Sequence, residues 1–439
     1  MNIRFYNARI LTMQEGQPVF SGELWTAEDR ILYVGDTPPA GTPRAQAGDR
    51  PACWDREIDC RGNLLMPGFK NAHTHSAMTF LRSHADDMPL DRWLNEQVFP
   101  FEAKLTPQDI GTLTKLAILE YLTGGVTGIM EMYLTPETIA AACSGCGMRV
   151  VQVGGCNNFS QSPELLEKWY EELNHADPLT SFQLGFHAEY TCSPDLLETI
   201  AGLAHRFRAP VFTHCEETLA ETQGCMERYG KTPVALLSEL GIWDFGGAGY
   251  HLVHTNEEDR RILKEKNIGV VTNPASNAKL ASGIAPLSEY LTDGIPVAIG
   301  TDGPASNNCL DMFREMFLAT ALAKLRTGDA SAVPALEVLR MATVNGAHIM
   351  RLPETDVLAA GKLADLILLD LQQPNMQPVW DIPNNIVYSG SKSNVMLTMI
   401  GGVIRYELCG GEQRFHIGEE PADIYREVEA IQRRIFMEK

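Results

Sequence analysis

Leu64-Leu65-Met66-Pro67-Gly68-Phe69-Lys70-Asn71-Ala72-His73-Thr74-His75 is an apolar, strand-like run that ends in His-x-His. Side chains alternate along a strand with a period of two, so both imidazoles leave on one face. Two neutral imidazoles on one face can clasp a divalent metal at about 2.0–2.1 Å. Taken alone, the pair fits two surface or core histidines just as well. Its position makes it a site candidate, because active sites of α/β barrels sit where strands end.

Working outward, seven more strand-like runs start at Val126, Arg149, Phe182, Pro210, Gly249, Ile268 and Pro296. Helical patterns lie between them, as in Asp109 to Thr123, where apolar residues recur at three- and four-residue steps. Eight βα units within residues 63–353 predict a (β/α)8 TIM-type barrel, an α/β fold usually of about 250 residues or more. A doubly wound open sheet fits less well, since no G-x-G-x-x-G follows the first strand and no Walker A motif occurs. Both chain ends read as short strands and turns. Ile3 to Tyr6, Ile10 to Thr12, Leu24 to Thr26 and Arg30 to Val34 precede a Pro/Gly/Ala-rich loop from Thr37 to Pro51. Leu363 to Asp370 and Asn394 to Tyr406 are β-rich runs, the second broken by Gly401-Gly402. Residues 1–62 and 354–439 are therefore expected to build one small β-sandwich, closed by a terminal helix.

Across 439 residues, 36 Lys and Arg stand against 56 Asp and Glu, a net charge of −20 that would repel phosphate backbones and anionic lipid. Nucleic-acid and membrane roles lose ground to a small-molecule substrate. With no apolar stretch of about 18 residues and no signal-peptide pattern at Met1-Asn2-Ile3-Arg4-Phe5, a soluble cytoplasmic protein is expected. Ten cysteines scattered from Cys53 to Cys409 read as reduced thiols. Cys143 and Cys146 have CxxC spacing but no second pair, so they weigh little as a metal or redox motif.

Three other strand ends carry ligand-type residues. His214 closes one apolar run, with Glu217 three residues on; His251 and His254 close the next; Asp302 sits between Thr301 and Gly303 after the eighth. Each has an ordinary explanation by itself. Asp302 could cap a turn, His251 or His254 could be a hydrogen-bonded core histidine, and Glu217 could face water. Four such segments meeting on one barrel rim is a different matter. Three His and one Asp form a mixed N/O set suited to zinc or another borderline divalent ion.

These motifs make the sequence resemble the amidohydrolase superfamily, and within it the adenosine-type deaminases acting on 5′-methylthioadenosine and S-adenosylhomocysteine. The resemblance is carried by Met66-Pro67-Gly68 running into His73-Thr74-His75, Ala85-Asp86-Asp87-Met88-Pro89-Leu90 with Trp93-Leu94, His214 to Thr218, His251, and Gly300-Thr301-Asp302-Gly303 with Ser306-Asn307-Asn308. It extends from the first residues to about Tyr406. It implies that His73, His75, His214 and Asp302 hold one divalent metal, zinc foremost, with iron(II) or manganese(II) as alternatives. Binuclear members bridge two metals with a carboxylated Lys on the fourth strand; Phe182 to Glu189 holds no Lys, which favours one metal. The resemblance further implies that Asp302 takes a proton from the attacking water and that Glu217 protonates the ring nitrogen and then serves the leaving amine. His251 would orient the attacking oxygen. A homo-oligomer is the expected assembly.

By the same likeness, Glu102 matches the ribose-hydroxyl contact and His187 a second sugar contact, while Trp93 and Met78 match positions near the 5′ end. Two departures stand out. Relatives accepting S-adenosylhomocysteine hold its carboxylate with arginines after the third strand, yet no Arg occurs between Arg149 and Arg206. Without a bidentate Arg, uncharged 5′ groups are expected: 5′-methylthioadenosine, 5′-deoxyadenosine or adenosine. The second departure is Glu189, where relatives usually carry Pro; it could select a different ring or simply pair with a Lys or Arg. Alternative readings are a deaminase of another heterocycle (guanine, an oxidised purine, a pterin, a triazine) and a non-catalytic ligand-binding barrel.

Overall fold

The computed structural model describes residues 1–36, 54–84 and 86–437. The loop expected from Thr37 to Pro51, Cys53, and Ala85 of the Ala85–Leu90 motif lie outside the described residues. Five strands come first: β1 (Ile3–Ile10), β2 (Phe20–Ala27), β3 (Arg30–Gly35), β4 (Arg56–Asp59) and β5 (Leu64–Pro67). Eight follow: β6 (Phe69–Thr74), β7 (Val126–Glu131), β8 (Arg149–Val153), β9 (Thr180–Ala188), β10 (Val211–Cys215), β11 (Gly247–His251), β12 (Ile268–Thr272) and β13 (Val297–Ile299). The chain ends with β14 (Leu366–Leu369), β15 (Val395–Ile400), β16 (Val403–Cys409), β17 (Glu412–Phe415) and the helix Pro421–Phe436.

β6 to β13 pair in sequence order, every ladder parallel. The connecting helices are cut by local signals. The helix Pro107–Thr123 starts on a capping box between Thr106 and Asp109, which satisfies two otherwise orphaned backbone donors. The barrel interior is filled by Ala72, Met130, Val151, Phe212, Tyr250, Val271 and Ala298. At the seam between β13 and β6 the link is mostly side-chain work. Asn71 donates to Thr301 Oγ1 at 2.7 Å and accepts from Thr301 N at 2.9 Å, and Asp302 N donates to His73 O at 3.0 Å.

The strands of both chain ends form one continuous nine-stranded sheet, ordered β17-β16-β15-β14-β5-β1-β2-β3 with β4 alongside β1. Ile3, Phe5 and Ile10 from the beginning share one apolar core with Leu366, Leu368, Leu397 and Met399 from the end. A buried Arg149–Asp365 pair, bonded at 2.7 and 2.9 Å, ties the start of β8 to the entry of β14.

One expectation needs correcting. The run from Leu64 is not a single barrel strand: β5 pairs with β1 and β14 in the small sheet, and the barrel begins only at Phe69. Gly68 marks the break. A Cβ there would stand 2.1 Å from Thr127 Cγ2, so the close passage between the two sheets requires glycine.

Candidate active site

Except for His254, the histidines and acids read from the strand ends converge at the C-terminal mouth of the barrel. Turning them inward takes unusual backbone. Glu216, His251 and Asp302 all have left-handed conformations, with φ of 52°, 73° and 60°. Non-glycine residues adopt that region at a cost of about 1–3 kcal/mol each, and such strain concentrates at functional sites.

His75 and His214 are aimed by their Nδ1 atoms, which pair with the carbonyls of Met132 and of His187, the latter at 2.7 Å. Both Nε2 atoms therefore face inward, 3.3 Å apart. Asp302 Oδ1 lies 3.3 Å from His75 Nε2 and 3.7 Å from His73 Nε2. The Asp302 carboxylate is fixed by Ser276 Oγ at 2.5 Å, Ser306 Oγ at 2.9 Å and Gly303 N at 2.7 Å. His73 stacks on Tyr250 with ring centroids 3.8 Å apart, and both of its nitrogens are buried without a hydrogen-bond partner. Burial, and then the neighbouring His75, push its pKa well below the ordinary histidine range, so the ring is neutral. A neutral, unpartnered, buried imidazole among converging donors is what a metal ligand looks like before its ion is counted. The groups that could hold an ion are His73 with His75 and His214, and His73 with His251 and Asp302; the described residues contain no other such cluster. Three imidazoles and one carboxylate fit a single borderline divalent cation.

The site opens into a cavity of about 560 Å3, within the range of small-molecule sites. Met78, Trp93, Glu102, His187, Glu217 and His251 all line it. Ser282 Oγ donates to Glu217 Oε1 at 3.3 Å, and His251 Nε2 lies 3.8 Å from Glu217 Oε2. Burial raises the Glu217 pKa, with His251 pulling the other way. His251 Nδ1 pairs with Asn277 Oδ1 at 2.7 Å, whereas His254 Nε2 meets the Ser282 carbonyl at 2.7 Å and is absent from the cavity wall. Of the two, His251 lines the cavity. His187 is pushed by burial down to about 4 and reaches Thr191 Oγ1 at 3.2 Å.

The comparisons with known proteins agree with this geometry. The model of the amidohydrolase family matches residues 64–405. The chain belongs to the amidohydrolase family. It is 40% identical to a 5-methylthioadenosine/S-adenosylhomocysteine deaminase of Pelotomaculum thermopropionicum over 92% of this chain and 93% of that one. A protein of the same description from Syntrophomonas wolfei is 42% identical over 84% and 86% of the two chains. Among solved structures, an adenosine deaminase from Xanthomonas campestris with bound zinc superposes with a TM-score of 0.89 at 30% identity, covering 99% and 98% of the chains.

For this amidohydrolase, Glu189 does not take the substrate-facing place considered for it. Its buried carboxylate accepts from Arg228 Nη2 at 2.6 Å and does not line the cavity. The reason is electrostatic: a carboxylate with a side chain only 2% exposed needs a cationic partner, and Arg228 supplies it. Reading from sequence also missed several residues. Tyr133, Asn157, Phe159 and Gln161 line the cavity, and Glu131 holds the turn after His75 by accepting from Ser76 N at 3.0 Å with each oxygen. Glu131 and Tyr133 sit at the end of β7, so the strand-end rule that found the histidines could have found them. No Lys or Arg is among the described residues lining the cavity. Cys143 and Cys146 are buried in the helix Pro136–Cys146, outside any metal-type cluster of the described residues. No helix of the described residues is long and apolar enough to cross a membrane.

Proposed function

We propose that this amidohydrolase is a zinc-dependent hydrolytic deaminase of adenosine-like nucleosides with uncharged 5′ groups. The observation that carries the reading is one continuous cavity lined by Glu217 and His251 beside the donor cluster, by Glu102 and His187, and by no described Lys or Arg. His73, His75, His214 and Asp302 would hold the ion. When bound, such an ion makes water nucleophilic near neutral pH.

The chain's own groups supply the rest. Glu217, its pKa raised by burial, lines the cavity beside His251 and is suited to carry a proton to the ring nitrogen next to the amine-bearing carbon and on to the leaving amine. His251 is held by Asn277 and orients the attacking oxygen. Glu102 and His187 take the sugar, with Met78 and Trp93 beside the 5′ substituent. A charged amino-acid tail would find no guanidinium among the described residues of this wall, and a buried unpaired carboxylate is costly.

Ammonia release by the zinc-loaded protein tests this with 5′-methylthioadenosine, 5′-deoxyadenosine, adenosine, S-adenosylhomocysteine and guanine. The reading expects kcat/KM for the first three to exceed that for S-adenosylhomocysteine by on the order of tenfold or more. Equal efficiency with S-adenosylhomocysteine overturns the 5′ preference. Activity on guanine alone overturns the nucleoside reading.

A further inference from the structure

Two polar atoms in the cavity wall lack partners. The Tyr133 hydroxyl and Glu102 Oε1 are both buried and face one another, close enough to perturb each other's titration but with no well-formed hydrogen bond to any protein group. Burial raises Glu102 to about 7 against the lowering pull of the adjacent Tyr133 phenol and of His75. Tyr133 is in turn raised well above its ordinary range by burial and by Glu102. The backbone around Tyr133 is pinned, since Gln161 Nε2 donates to its carbonyl at 3.0 Å while Gln161 Oε1 accepts from Gly155 N at 2.8 Å. A buried polar group without a well-formed bond is costly, and here two of them share the wall of the cavity, where a ligand can supply the missing partner.

The chemistry of the pair narrows the ligand. Tyr133 offers a donor and Glu102 an acceptor. A single alcohol satisfies both at once, accepting from the phenol through its oxygen and donating its own proton to the carboxylate. We propose that Tyr133 is a specificity-determining residue, holding with Glu102 one hydroxyl of the substrate's sugar and so selecting ribonucleosides over their deoxy analogues. This rests on the nucleoside reading above.

The test compares wild type with Tyr133→Phe on adenosine, 2′-deoxyadenosine and 3′-deoxyadenosine. Losing one buried bond should lower kcat/KM for adenosine on the order of 10- to 100-fold, mainly through KM. For whichever deoxy substrate lacks the held hydroxyl, the variant and wild type should agree within about threefold. The free variant should melt at or above the wild-type temperature, because an unpartnered buried hydroxyl has been removed. An equal penalty on all three substrates, or none on adenosine, overturns the proposal. If wild type releases ammonia from guanine but from no nucleoside, the nucleoside reading fails first and the role of Tyr133 falls with it.

Discussion

Replacing Asn71 with Ala probes how the seam of the barrel places Asp302. Asn71 is fully buried and bridges β6 to the residue preceding Asp302 through two bonds, of 2.7 and 2.9 Å with Thr301. Two such bonds contribute about 1 kcal/mol each, and stranding the buried Thr301 N–H raises the total to about 2–4 kcal/mol. For 439 residues at roughly 2.1 cal/mol/K per residue, about 0.9 kcal/mol corresponds to one degree, so Tm should fall by about 2–4 °C. The larger effect should be on the metal. Supporting shells of this kind typically change affinity about 10- to 100-fold, and Asp302, with its left-handed backbone, follows directly on the Thr301 that Asn71 holds. Zinc titration with a competing chelator should show that loss, and saturating zinc should restore most of the turnover. Asn71→Asp, which keeps the acceptor for Thr301 N, should sit between wild type and Ala. Zinc affinity within twofold of wild type, with Tm within one degree, would refute the idea that this seam positions the ligand.

Glu217→Gln should retain bound metal and lose about 100- to 10,000-fold in kcat, as expected for removal of a proton carrier; near-normal turnover rejects that role. Glu102, pushed up to about 7, accepts a hydrogen bond from a substrate hydroxyl more strongly as a carboxylate than as a carboxylic acid, so the wild-type KM for adenosine should fall as pH rises from 6 to 8. The Glu102→Gln KM should be flat across the same range, and parallel profiles would contradict the assignment. Arg228→Met should lower stability by about 1–3 kcal/mol, less than for a fully buried pair because Arg228 is half exposed, and leave KM within about twofold. A tenfold change in KM with an unchanged Tm would return Glu189 to the substrate.

What could be read in the sequence, and what could not, follows from how local each signal is. His73, His75, His214, His251 and Asp302 stand at ends of apolar runs, and parallel strands of a barrel bring such ends together whatever the loops do. The split at Gly68 was hidden because β5 and β6 are equally apolar and adjacent; only the Thr127 side chain facing Gly68 shows why the chain changes sheets there. Glu189 was ambiguous for a similar reason. Its partner Arg228 lies 39 residues away, on the helix Leu219–Tyr229, beyond the reach of any local pattern. Tyr133 escaped notice because a lone aromatic near a strand end reads as packing, and its unpartnered hydroxyl exists only in three dimensions.

Metal stoichiometry decides the matter at its root. Elemental analysis of the purified protein, paired with activity before and after chelation, should find one divalent ion per chain, turnover lost with its removal and regained on zinc addition, and no bound ion in His214→Ala. Undiminished ammonia release from a chain stripped of every metal would contradict the account outright.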